Sequence, residues 1–220
     1  MELKGKKINF LGDSITEGTG TSSIEHVYFE VLKRSAGLAE ARGYGIGGTR
    51  LAKQIVPSEK PKYDHFFEER AREMDRDADV VVVFGGTNDF GHGDAPVGRP
   101  EDRTPDTFWG ACHSLYTYLM TEYPDARIVV MTPCHRLNEH NTDGSEHNKA
   151  YNYGSLKDYV NIIREVAEYY SLPVCDLYAN LGINPEIAPQ REKYMPDGLH
   201  PSDAGNAKIA AYLEAFLKTI

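Results

Sequence analysis

No apolar run in this chain approaches the roughly 20 residues needed to cross a bilayer, so no membrane partner is expected. The N-terminal Met-Glu-Leu-Lys-Gly-Lys-Lys lacks the apolar stretch and small-residue cleavage site of a secretory signal, and the chain reads as cytoplasmic. Cysteine is scarce. Cys112, Cys134 and Cys175 are odd in number, far apart and without a CxxC pair, which argues against a disulfide framework and against a zinc knuckle. There is no HExxH, and the eight histidines show no paired ligand spacing, so no metal is expected. Gly85 and Gly86 lack the GxGxxG pattern of a dinucleotide site. Basic residues are outnumbered, 24 against 33 acidic, and the net charge of −9 is spread along the chain. Without a basic footprint, nucleic acid is not an expected partner. Internal repeats and low-complexity segments are absent as well.

What remains is a chain of 220 residues with 40 % apolar content, a length and composition suited to one domain over 1–220. Strand-like and helical patterns alternate, as in parallel strands joined by crossover helices, an α/β class. Strands are predicted at 7–11, 38–44, 80–84, 127–131 and 172–177. The run 80–84, Val-Val-Val-Val-Phe, has no polar alternation, as a central strand covered on both faces requires. Helices are predicted at 24–36, at 63–74 with an exposed face, at 104–122 behind Thr104-Pro105-Asp106, at 155–170 behind a capping box in Ser155-Leu-Lys-Asp158, and at 202–217.

The chemistry-bearing residues lie near the ends of these elements. Asp197 and His200, three residues apart, can meet on one turn, where the carboxylate accepts the Nδ1 proton and leaves Nε2 as a base. Ser14 follows the first strand through a glycine that permits a sharp turn and is the best-placed nucleophile. Asn88 follows the central strand, where an amide can donate to a developing oxyanion. Asp13 and Asp89 are candidates for holding the Ser14 and Asn88 turns. Ligands in open parallel sheets bind beyond the carboxyl ends of the strands, so Ser14, Asn88 and 133–136 should face one crevice. Two long polar connections, 90–103 and 134–154, border it; His92, His135 and Arg136 are candidate rim residues for substrate. The competing chemistries are a metal cluster of Asp13, Asp197 and His200, and a thiol nucleophile at Cys134 beside His135.

Taken together these residues resemble the SGNH hydrolases, which include the GDSL lipases and esterases. Gly12-Asp-Ser-Ile15 resembles the first family block, with Ile for Leu, Gly85-Gly-Thr-Asn-Asp89 the third and Asp197-Gly-Leu-His-Pro201 the fifth. The second block is the weakest match: in Tyr44-Gly-Ile-Gly-Gly-Thr-Arg50 an asparagine often found at its start is here Gly43, which leaves Gly48 or Gly47 as the oxyanion glycine. The resemblance implies a three-layer α/β/α fold with a central parallel sheet of about five strands, flavodoxin-like, and ester cleavage through an acyl-enzyme. In it Ser14 attacks, His200 is the base, Asp197 orients it, and the N–H groups of Ser14 and Gly48 with the Asn88 amide hold the oxyanion. No cofactor is implied. Polar loops and 14 Tyr against 8 Phe favour a short acyl group, acetyl above all, on a small molecule or oligosaccharide. The runner-up enzymes are an acyl thioesterase or a lysophospholipase; the reading of another class is an inactive carbohydrate-binding protein. Whether copies associate as a homo-oligomer is left open.

Overall fold

The computed structural model describes all 220 residues. Its centre is a five-stranded, all-parallel sheet in the order β2-β1-β3-β4-β5. The strands are β1 (Lys7–Gly12), β2 (Glu40–Gly45), β3 (Val80–Phe84), β4 (Arg127–Met131) and β5 (Val174–Cys175). Every residue of β3 is buried, as its unbroken apolar run predicts for a strand covered on both faces.

The two-residue period of the strands divides the core into two layers. Val81, Val83, Ile128 and Val130 point to one face, among α3 (Phe67–Ala71), α5 (Phe108–Glu122) and α6 (Leu156–Tyr169). Val80, Val82, Phe84, Val129 and Met131 point to the other, against α2 (Tyr28–Ala36) and α9 (Asp203–Thr219). The architecture is therefore the expected three-layer α/β/α sandwich.

Local chemistry accounts for the boundaries and for several differences from the sequence-based expectation. The predicted helix 24–36 is broken: Ile24–His26 is a 3-10 turn, Val27 is extended, and α2 starts at Tyr28. Helix α5 starts after Thr107, whose hydroxyl accepts the Gly110 N–H, and not at the Thr104-Pro105 signal. The capping box before α6 forms as predicted. The predicted exposed helix 63–74 shrinks to five residues, and Phe67, Arg70 and Ala71 on it are buried. Charge density in that segment suggested a solvated surface; the Arg70 guanidinium instead enters the interior, where backbone carbonyls accept from it. Predicted strand 172–177 contracts to two residues because Asp176 caps the short helix α7 (Leu177–Asn180). The periodicity also missed three short helices at strand ends or in connections: α1 (Ser14–Glu17), α4 (Thr87–His92) and α8 (Ala188–Tyr194). No helix is long and apolar enough to cross a membrane.

Candidate active site

Strands β1 and β3 end side by side, Gly12 paired with Phe84, and each gives way to a short helix carrying a candidate residue. Ser14 is the first residue of α1. Asp13 is its N-cap, accepting the Ile15 N–H at 3.0 Å, so the buried Asp13 carboxylate holds the Ser14 turn. Burial pushes the Asp13 carboxyl up to about 6, against the opposing pull of the Ile15 N–H and the charges of His200 and Arg70.

The C-terminal segment before α9 brings His200 to Ser14 across 186 residues of sequence: Ser14 Oγ lies 3.0 Å from His200 Nε2. His200 Nδ1 is 2.6 Å from Asp197 Oδ2, while Asp197 Oδ1 accepts the N–H groups of Leu199 and His200 at 2.9 and 2.7 Å. Burial alone would raise the Asp197 carboxyl; the hydrogen bonds from His200 and the two backbone N–H groups outweigh it and hold the group below its ordinary value. With Asp197 ionised, Nδ1 carries the proton and Nε2 is left to accept from Ser14.

The third component is the loop after β2. Gly47 donates its N–H to Glu17 Oε2 at 2.9 Å, whereas the Gly48 N–H has no acceptor within the protein. Gly48 sits at φ +75°, a left-handed conformation that favours glycine, with the Tyr63 ring against it. Asn88 donates one amide hydrogen to Thr49 O at 3.0 Å and keeps the second free. The Ser14 N–H, in the first turn of α1, likewise has no intrahelical acceptor. Three residues from separate segments, each with a free donor, thus line the same cleft.

Asp89 does not hold the Asn88 turn by local bonding. Its buried carboxylate accepts the N–H groups of Leu51 and Ala52 at 3.0 and 2.9 Å, which clamps the far side of the glycine loop to α4. Arg70 closes the same junction by donating to Gly12 O at 2.9 Å, to Thr49 Oγ1 at 2.8 Å and to Tyr44 O. Nothing in the charged stretch around Arg70 marks it out locally; only the packing reveals it.

Ser14, Gly48, Asn88, His92, Arg136 and His200 line one cleft of about 620 Å³, together with Glu17, Tyr63, Ser145, Glu146 and Asn148, which the sequence reading did not single out. Only two of its fourteen lining residues are hydrophobic. Of the three rim candidates, His92 and Arg136 are placed here and His135 is not. The His135 ring packs at a tilt on Tyr178, centroids 3.9 Å apart, and its Nδ1 bonds to Glu139, so it belongs to a separate side-chain cluster. Burial pushes His92 down to about 4, helped by the charges of Arg50, Arg136 and Lys149, so its ring is neutral. Cys134 is buried and burial holds its thiol far above the usual range, which removes the thiol-nucleophile alternative. Asp13, Asp197 and His200 do not assemble into a group that could hold a metal ion.

Comparison with known proteins places this geometry in context. The model of the GDSL-like lipase/acylhydrolase family matches residues 10–208, which include all the residues around Ser14 described above. Among solved structures, a protein from Lactobacillus plantarum is 29 % identical with a TM-score of 0.82, over 99 % of this chain and 98 % of that one. A lipase/acylhydrolase from Enterococcus faecalis has 21 % identity and a TM-score of 0.63, over 97 % and 96 % of the two chains. An acetyl xylan esterase has 21 % identity and a TM-score of 0.64, over 95 % and 98 %. Among curated protein sequences nothing matches.

Proposed function

The chain belongs to the GDSL-like lipase/acylhydrolase family, and from that premise we propose that it is a serine esterase that removes a short acyl group, acetyl above all, from a polar alcohol. The observation that carries this reading is the relay Ser14 Oγ, His200 Nε2, His200 Nδ1, Asp197 Oδ2, with contacts of 3.0 and 2.6 Å, at the edge of a polar cleft. Ser14 attacks the ester carbonyl as His200 takes its proton, and Asp197 stabilises the imidazolium that forms. The oxyanion is held by the N–H groups of Ser14 and Gly48 and by the free amide hydrogen of Asn88. Gly48 is the better donor of the two adjacent glycines because the Gly47 N–H is already occupied by Glu17. His200 then gives its proton to the leaving alcohol, and water repeats the sequence on the acyl-enzyme.

The alcohol is small or part of an oligosaccharide because the cleft lining is polar; an acyl chain of eight carbons would gain about 0.8 kcal/mol per buried methylene only in an apolar tunnel. The solved acetyl xylan esterase shares the fold, which is compatible with an acetylated sugar as substrate. A thioesterase or lysophospholipase would need such a tunnel. Labelling by a fluorophosphonate probe, with Ser14→Ala as control, combined with a p-nitrophenyl ester series, tests the reading. Full labelling of the Ser14→Ala protein would remove the nucleophile assignment, and a maximum at octanoyl or longer would replace the short-acyl assignment with a lipid one.

A further inference from the structure

Arg136 is an arginine without a complete set of partners in the wall of the cleft. It is 8 % exposed, and its Nη1 donates to Thr87 O and Thr87 Oγ1 at 3.2 and 3.1 Å. Its Nε is buried with no acceptor, and its Nη2 makes no hydrogen bond to the protein. The guanidinium lies over the Phe90 ring, its Cζ 5.6 Å from the centroid. Burial lowers its proton affinity, and the carboxylates that oppose this, Asp13, Glu146, Asp197 and Glu139, act at a distance, since none forms an ion pair with it. Asp13, Asp197 and Glu139 are each engaged elsewhere: with Ile15 N–H, with His200, and with His135 and the Arg136 backbone. Glu146 is exposed on the loop over the cleft.

Nε is removed from water with no acceptor, a desolvation cost that the contacts of Nη1 do not offset, whereas Nη2 is not buried and makes no hydrogen bond to the protein. Nη2 is therefore the nitrogen that can donate a charge-assisted hydrogen bond to a carboxylate oxygen entering the cleft. The neighbouring His92 is neutral, and Arg136 is the one lysine or arginine that lines the cleft; Lys149 lies outside it, occupied by Asp89 O, Phe90 O and Tyr159 Oη. We propose that Arg136 is a specificity-determining residue that binds a carboxylate on the alcohol half of the substrate, so that the preferred substrate is the short-acyl ester of a hydroxy acid or of an acidic sugar. This rests on the esterase reading above, with the acid supplying the partner that the free protein lacks.

The experiment compares para-acetoxybenzoate with the neutral para-acetoxybenzamide, whose leaving alcohols differ in the carboxylate. Wild type should favour the acid in kcat/KM by on the order of tenfold or more, mainly through KM, as a charge-assisted pair made in both ground and transition states predicts. Arg136→Gln should bring the ratio near one, Arg136→Lys should retain part of it, and added salt should reduce it. Equal rates on both esters in wild type, or an Arg136→Gln loss that falls equally on both, would overturn the assignment, the second outcome marking a structural role. A preference confined to mono-p-nitrophenyl succinate over p-nitrophenyl butyrate would overturn the placement on the alcohol half. If Arg136→Gln does not fold, inhibition of p-nitrophenyl acetate hydrolysis by benzoate against benzamide in wild type decides: equal inhibition rejects the site. Failure of the esterase reading itself is separate, since neither acetoxy ester would then be cleaved in a Ser14-dependent manner.

Discussion

Replacing Asp89 separates the scaffold of the cleft from its chemistry. The Asp89 carboxylate touches no candidate reacting atom, yet it joins α4, which carries Asn88, to the loop that carries Gly48, through Leu51 N–H and Ala52 N–H. Asn88 makes the parallel tie to Thr49 O, so two adjacent side chains on one helical turn hold a loop that has no regular structure of its own. Hydrogen bonds to a charged acceptor contribute about 1.5–3 kcal/mol each. The gain is reduced because burial pushes the Asp89 carboxyl up, which means the fold disfavours its charge. Asp89→Ala, which leaves two N–H groups without acceptors, should therefore cost about 2–4 kcal/mol. At roughly 2–4 °C per kcal/mol for a chain of this length, Tm should fall by about 5 to 15 °C. Asp89→Asn avoids the buried charge and keeps one acceptor oxygen but sets its NH2 against the other backbone N–H, so it should recover only part of that loss. Both variants should lower kcat on p-nitrophenyl acetate more than they raise KM, since a displaced Gly48 N–H would weaken the proposed oxyanion site. Thermal unfolding followed by circular dichroism, with initial rates measured well below Tm, gives both quantities. If Asp89→Ala unfolds within about 1 °C of wild type, or keeps full kcat while destabilised, the clamp does not operate as described.

Four further outcomes follow from the same geometry. Ser14→Ala should abolish hydrolysis while leaving Tm nearly unchanged, because it removes one hydroxyl at the cleft edge; residual turnover above about one part in 10³ would implicate another nucleophile. Asn88→Ala should lower kcat by about 10² to 10³, and a variant within twofold of wild type would move the third oxyanion donor elsewhere. Lys149 is pushed down to about 8, chiefly by burial, below the ordinary 10.5 it regains on unfolding, so its charge opposes folding at low pH. The unfolded chain binds the extra proton between these values, so wild type should gain stability relative to Lys149→Met as pH rises from about 8 to 10.5, and parallel stability curves would contradict it. The p-nitrophenyl ester series should peak at acetyl or propionyl, because a lining with two hydrophobic residues in fourteen offers added methylenes little.

The parallel sandwich was legible without coordinates because it rests on periodicity. An unbroken Val80-Val-Val-Val-Phe84 run can only be satisfied by cover on both faces, and helical spacing between such runs supplies the cover. Ser14, Asn88, Asp197 and His200 were legible for a related reason: each sits just past a strand or at a tight turn, where local chemistry shows in adjacent residues. Asp197 and His200 meet through a three-residue spacing, and the capping box at Ser155 and Asp158 forms from neighbours alone.

Long-range neighbours decided the rest. Whether Gly47 or Gly48 offers a free N–H depends on Glu17, thirty residues away in sequence, which occupies Gly47. The burial of Arg70 depends on carbonyls at Gly12 and Tyr44, so a segment whose charges suggested a solvated helix became part of the junction beneath the cleft. His135 and Arg136 are adjacent, yet the ring of one packs on Tyr178 and bonds Glu139 while the other lines the cleft and bonds Thr87, because each meets partners from distant segments. Composition and spacing determine which elements form and which residues are available for chemistry. Which donors remain free, and which charges are left without partners, is settled only when distant segments compete for the same hydrogen bonds.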